Sequence, residues 1–424
     1  LLRILTVALL LLAPAPSLLA QNQLWIVDDN PGPGVDFGAI QPAIDAASEG
    51  DSILIRDGEY AGFVIVGKSL ELLSDDFAAV GPSSVSGLGP NQWVSLYRMN
   101  FRQIGQILVN PTLKLEACAG RVWMQHCVVS AGSTSSGANT LGMRIQDCQV
   151  VDLLDSTVSG AFGKQGTSSS PSTGNGSVGL EVSFSRLFAF NTTFVGGSGG
   201  SGLPDSLASA YDGGNGALAM RADGGELYLE RCDLYGGSGG SGSGGFDCGE
   251  GGDAAYALKL NSVPSWIRGC QIEAGYGGSP GFAFPPYCND YGFTPPTAID
   301  GPVPESLGGP VRRLEFMGPA KEGQNVPLLF RGAPGDFALL LFAPAPAGEF
   351  LPAYQGARLV SYPGLSIVPV GSLDGGGMLQ SNLTMPQLPP GLSINSAFLQ
   401  GAFFNQGQFW LGSGIHLHLL DSSL

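Results

Sequence analysis

Apolar and polar positions in the middle of the chain repeat as one unit. The segments RVWMQHCVVSAG from Arg121, VVDLLDSTVSGAFG from Val150, RLFAFNTTFVGGSGGSG from Arg186, ELYLERCDLYGGSGGSG from Glu226 and PSWIRGCQIEAGYGGSPG from Pro264 all share it. Each reads apolar, any, apolar, any, any, small anchor, any, apolar, with glycine close behind. The anchors are Cys127, Ser156, Thr192, Cys232 and Cys270, spaced 29, 36, 40 and 38 residues apart. Short runs that alternate with a period of two read as strands, and recurrence at this longer period reads as stacked supersecondary units. The pattern predicts a solenoid of short parallel strands, a parallel β-helix. It should be right-handed, because crossovers between parallel strands almost always are. Val122, Met124, Val129, Leu153, Leu229 and Leu234 should point inward.

Upstream, Ile40, Ala43, Ile44 and Ala47 fall on one face at helical spacing and Gly50 stops the run, predicting a helix that covers the open end of the solenoid. Glycine- and serine-rich insertions follow the same position of successive rungs, so they should emerge along one edge and pack on one another. Proline density rises after Gly275. Beyond it come eight strand-like runs from RRLEFMG to FWLGSGIHLHLL, which predict a small antiparallel β-sandwich. The expected organisation is therefore a signal peptide over 1–20, a β-helix over 21–280, a linker over 281–310 and a sandwich over 311–424.

The segment preceding Ala20 is a short apolar run behind a lone Arg3, the pattern of a secretory signal peptide rather than a membrane span. Export and an extracellular or cell-surface location follow as expectations. A net charge of −16 makes nucleic acid an improbable partner, and 43% hydrophobic residues argue for a packed core despite 66 glycines. Seven cysteines in an exported chain permit disulfides. Cys232 and Cys270 share the anchor column and Cys118 and Cys148 share another, so they should stack as ladders. Cys248 and Cys288 sit in successive loops and are the best disulfide pair.

The string IQPAIDAASEGDSILIRDGEY from Ile40 resembles the N-terminal signature of right-handed parallel β-helix proteins of the pectin-lyase-like superfamily. The resemblance covers about residues 24–280 and implies the fold. It leaves the activity open, since that superfamily holds lyases, hydrolases and adhesins. RVWMQHC resembles the vWiDHC stretch of pectate lyases, with Gln125 in place of the aspartate, which makes His126 a weak catalytic candidate. The paired aspartates, GHG and RIK strings of polygalacturonases are missing.

Other candidates come from the rung alignment. An outward column of Arg144, Glu181, Ala219 and Lys259 offers Arg144 and Lys259 as bases for a lyase. Asp205, Asp212, Asp247, Glu250 and Asp253 lie in the loops. Of these Asp247, Glu250 and Asp253 are the metal candidates, with calcium as the ion they would take, although no cofactor is implied. His416 and His418 share one strand face and could touch one metal, but the local sequence lacks a third ligand, which favours an exposed strand face. Trp123, Asp152, Phe188, Tyr228 and Trp266 form an outward ridge that either stacks against sugar rings or packs beneath other parts of the chain. The function these features favour is an exported, non-catalytic β-helix protein that binds a polysaccharide or cell-surface glycan, or serves as an envelope scaffold. The alternative is a carbohydrate-active enzyme, most plausibly a polysaccharide lyase. Oligomeric state is not indicated.

Overall fold

A computed structural model describes residues 23–105, 109–132, 140–167, 173–203, 210–244, 248–281, 288–316 and 318–424. The expected signal peptide, Asp205 and Asp247 lie outside the described residues. The described chain is all-β, and the strands from Leu24–Val27 to Glu305–Ser306 form a parallel β-helix-like solenoid. A typical rung has three strands, Leu113–Glu116, Arg121–Gln125 and Val128–Ser130. The next rung repeats them at Met143–Gln146, Val150–Leu154 and Thr157–Ser159, with like positions paired in parallel register. The solenoid thus has three faces, one per strand. Alternation buries Val122, Met124, Val129, Leu153, Leu229 and Leu234 in a continuous interior cluster. The helix Ile40–Ala46 adds Ile40, Ala43 and Ile44 to the same cluster.

The residue before each anchor turns the corner between the second and third faces. Arg98, His126, Asp155, Asn191 and Arg231 all have positive φ, between 48° and 55°, and Gly269 follows at 60°. Asp and Asn tolerate this left-handed region best among non-glycine residues. The N–H of each donates to the carbonyl preceding its counterpart in the next rung, as from His126 to Leu154 at 3.0 Å and from Asp155 to Phe190 at 3.0 Å. The corner is therefore a stacked column of polar side chains. Parallel pairing continues through Ile299–Asp300 and Glu305–Ser306, inside the stretch expected to be linker. Short strand segments survive there because a preceding rung offers them unpaired backbone groups.

The glycine-rich insertions pack on one another. A chain of backbone bonds runs from Gly292 to Gly278, Gly252, Gly240, Gly214, Gly200 and Gly174, each step 2.8–2.9 Å. Within one segment the donors recur every third residue, as at Gly196, Gly199 and Gly202. Three residues per turn is the repeat of polyproline II, a conformation with no internal hydrogen bonds. Here the amides are satisfied between segments, at separations that exclude side chains.

The C-terminal strands are mostly antiparallel. A five-stranded sheet is centred on the hairpin of Ile394–Asn405 and Gln408–Leu420, and a three-stranded sheet holds Arg313–Glu315, Asn325–Arg331 and Met378–Thr384. A further strand, Pro346–Leu351, pairs with Gly356–Val360. Leu399, Phe403, Ile415 and Leu417 from the long hairpin pack with Leu328 and Phe330 of the three-stranded sheet. The opposite side of the hairpin carries Phe398 and Ala402 against the second face of the solenoid.

Candidate functional site

That covering decides the fate of the aromatic ridge. Along the second face, Ser52, Glu71, Ser95, Trp123, Asp152, Phe188, Tyr228, Trp266 and Glu305 stand in register. Trp123, Asp152, Phe188 and Tyr228 have no solvent exposure at all. Trp123 meets Phe398 edge-on at 5.1 Å, and Tyr228 meets Phe350 at 5.3 Å. These four side chains form an internal seam and cannot serve a glycan track, because the C-terminal strands already occupy the apolar surface that a sugar would use. Gln125 belongs to the seam too: its Oε1 accepts the backbone N–H of His416 at 2.8 Å.

Asp152 is the exception in chemistry. Neither carboxyl oxygen has a hydrogen-bond partner, and burial pushes its pKa well above the ordinary value, against the weaker pull of the Arg121 guanidinium. A raised folded-state value means that folding favours the protonated form. The associated stability is complete below the unfolded value of about 3.9 and is lost as pH rises toward the folded value. The expected slope is about 1.4 kcal/mol per pH unit in that window. Asp152→Asn should remove the slope and become progressively more stable than the parent as pH rises. Urea midpoints at several pH values test this, and parallel pH dependence of the two proteins would show that Asp152 ionises freely.

The first face is solvated and its charges are matched. Arg221, not Ala219, holds the position between Glu181 and Lys259, because the strand begins one residue after Ala219. Arg144 pairs with Glu181 at 3.0 Å and Lys259 with Asp300 at 2.7 Å. Neither is therefore the free, desolvated base that proton abstraction requires. In the loops, Asp253 accepts the backbone N–H of Phe293 at 2.7 Å, and Asp212 accepts that of Glu250 at 2.8 Å. Among the described residues no cluster of three metal-ligating side chains includes Glu250 or Asp253; Asp247 lies outside them. Cys248 and Cys288 are joined in a disulfide with Cα atoms 5.4 Å apart, and the other five cysteines are free thiols.

Among the described residues, concave places lie where the C-terminal strands meet the solenoid, and two of them hold residues that the sequence pattern singled out. The larger, a cleft of about 640 Å³, is lined by Trp266, Trp410, Glu305, Gln355, Gln408 and Arg312. Trp266 stacks on Phe350 at 4.3 Å and donates its indole N–H to Glu305 at 3.0 Å. Trp410 lies beneath the Arg312 guanidinium at 3.7 Å and donates to Gln355 at 3.1 Å. Arg312 is in turn held by both oxygens of the buried Asp336. Both indoles are thus fixed in plane and orientation. Trp266 alone of the aromatic column keeps partial solvent contact.

The smaller cleft, about 280 Å³, opens where the polar corner column faces Arg313–Glu315. His126, Asp155, Asn191 and Arg231 line it, and Asn191 donates to Asp155 at 2.7 Å. Burial lowers the His126 pKa, so the ring is neutral near pH 7, while desolvation of its carboxyl raises that of Asp155. Asp155 keeps solvent contact at the mouth, so that shift carries no stability argument. Of this cleft the residue pattern singled out only His126. The positions directly preceding the anchors, polar or glycine in every rung, were the signal for the rest.

His416 and His418 do share a strand face, but it is buried rather than exposed, at 1% each. The third polar group comes from far away in sequence: Glu71, on the strand Leu70–Ser74 of the solenoid. Its Oε1 lies 3.8 Å from His416 Nε2 and its Oε2 3.5 Å from His418 Nδ1. Ser95 Oγ sits 2.6 Å from His416 Nδ1, and the hydroxyls of Ser52 and Ser396 donate to Glu71. Burial and the neighbouring His418 push the His416 pKa well below its ordinary value.

Among the described residues no helix is long and apolar enough to cross a membrane. No protein-family model and no curated protein matches the chain. Among solved structures it is similar to the enzymatically active domain of bacteriophage CBA120 tailspike protein 2, at 9% identity over 95% of this chain and 72% of that one, with a TM-score of 0.22. A likeness at that level carries no argument about function, and the reading of the site rests on its own geometry.

Proposed function

We propose that this is an exported protein that binds a glycan in the cleft between Trp266 and Trp410 and does not turn it over. In this reading the solenoid coils right-handed with Ile40–Ala46 as its cap, and the C-terminal strands form a sandwich that supplies half of the binding cleft. The carrying observation is the cleft itself, a volume of about 640 Å³ lined by two fixed indole rings. Volumes of roughly 300–1,000 Å³ with few convergent polar groups suit small-molecule ligands. Indole faces stack on sugar rings, while Glu305, Gln355 and Gln408 offer hydrogen bonds to hydroxyls. Recognition of this kind needs no calcium, and stacking requires no charge, so it tolerates an acidic surface. Lack of turnover is supported by the ion pairing of Arg144 and Lys259.

Glycan-array screening followed by calorimetry on the parent tests the reading. Trp410→Ala and Trp266→Ala should each weaken binding at least tenfold, about 1.4 kcal/mol. No glycan binding by the folded parent would overturn it. A second reading is favoured by the smaller cleft, where neutral His126 beside Asp155 has the makings of an acid–base pair. Release of unsaturated product from uronic-acid polymers, abolished by His126→Ala, would select that reading over simple binding.

A further inference from the structure

We propose that Glu71, His416 and His418 bind one divalent transition-metal ion of the zinc class, which ties the C-terminal strands to the solenoid. The separations carry the argument. At 3.5 and 3.8 Å, the imidazole nitrogens and carboxylate oxygens stand beyond normal hydrogen-bond length. Ligands about 2.0–2.1 Å from a tetrahedral zinc ion lie about 3.3–3.4 Å from one another, close to what is found here. One ligand atom from each of the three residues lies within 4.8 Å of the others.

A second observation points the same way. His416 Nε2 and both ring nitrogens of His418 are buried without any hydrogen-bond partner. Buried polar atoms are nearly always paired, and one ion beside Glu71 would take the lone pairs of His416 Nε2 and His418 Nδ1, the two orphaned nitrogens that face the carboxylate. The surroundings are those of a metal site as well. Ser95 holds the distal nitrogen of His416, and Ser52 and Ser396 hold the carboxylate, contacts that orient ligands from behind. Phe398 stacks on the His416 ring at 4.0 Å and fixes its plane. Imidazole donors select a borderline ion such as zinc over calcium, which takes six to eight oxygens. The site is closed to substrates by burial, so the ion acts as an interdomain tie.

The test uses the full chain, stripped with chelator, reloaded with Zn²⁺ or Co²⁺, desalted and assayed for metal. One equivalent per chain is expected, with an intense visible Co²⁺ spectrum of four-coordinate type and a melting temperature several degrees above that of the chelated protein. The chain has three histidines in all, so two-imidazole ligation retained in His126→Gln can come only from His416 and His418. Glu71→Gln and His418→Gln should lose the metal and the thermal shift. A folded parent that retains no stoichiometric zinc, or whose melting is indifferent to it, overturns the proposal even if the variants fail to fold. Metal retained at one equivalent by folded Glu71→Gln and His418→Gln alike would overturn it too.

Discussion

Trp123→Ala is expected to destabilise the protein by about 3–5 kcal/mol, the range for deleting a fully buried large aromatic side chain. Trp123 has no exposed surface and packs against Phe398 and His416, residues nearly three hundred positions away. Its loss therefore opens a cavity between the solenoid and the C-terminal strands that neither can collapse to fill. The same substitution on a solvated ridge would change stability by no more than about 0.5 kcal/mol. Urea unfolding separates the two outcomes without any ligand. A midpoint equal to that of the parent would mean that the second face is uncovered in solution and would restore Trp123, Phe188 and Tyr228 as a glycan track.

The outward column could be read from the sequence because strands alternate with a period of two and each rung repeats its anchor. What covers it could not, since the cover is set by long-range packing that no local pattern encodes. The same limit hid the histidine partner. His416 and His418 are visible as an alternating pair, but Glu71 lies in a rung without the anchor motif, on LELLS, where only a carboxylate flanked by leucines hinted at an unusual environment. Arg221, rather than Ala219, was legible too, since it stands 11 residues before its anchor Cys232, the offset at which Glu181 precedes Thr192 and Lys259 precedes Cys270. Trp410 gave no signal beyond membership in a strand. By contrast the loop disulfide position and the stacking of the insertions follow from rung arithmetic alone, since similar offsets from successive anchors, 16 residues for Cys248 and 18 for Cys288, land on neighbouring segments.

Gly240→Ala should be among the most damaging single-methyl additions in the chain. A Cβ at Gly240 would lie 2.0 Å from the carbonyl oxygen of Gly200 and 2.5 Å from its carbon, both backbone atoms held by their own hydrogen bonds. Gly200, in turn, bonds to Gly174 and accepts from Gly214, so the obstruction cannot be relieved by moving one segment. Overpacking a well-fitted interior costs typically about 1–3 kcal/mol, and contact with rigid backbone belongs at the upper end or beyond. Gly32→Ala is the control, with nothing within 4 Å of the added carbon, and should behave like the parent. The effect should be concentrated in the glycine layer, because the solenoid interior is a separate apolar cluster. Limited chymotrypsin digestion, with Phe162, Tyr276 and Tyr291 exposed, should therefore cleave Gly240→Ala within the insertions faster than it cleaves the parent or Gly32→Ala. Equal cleavage rates in all three, together with equal melting temperatures, would show that the glycine segments are not packed in contact, and the close-approach requirement would fall with them.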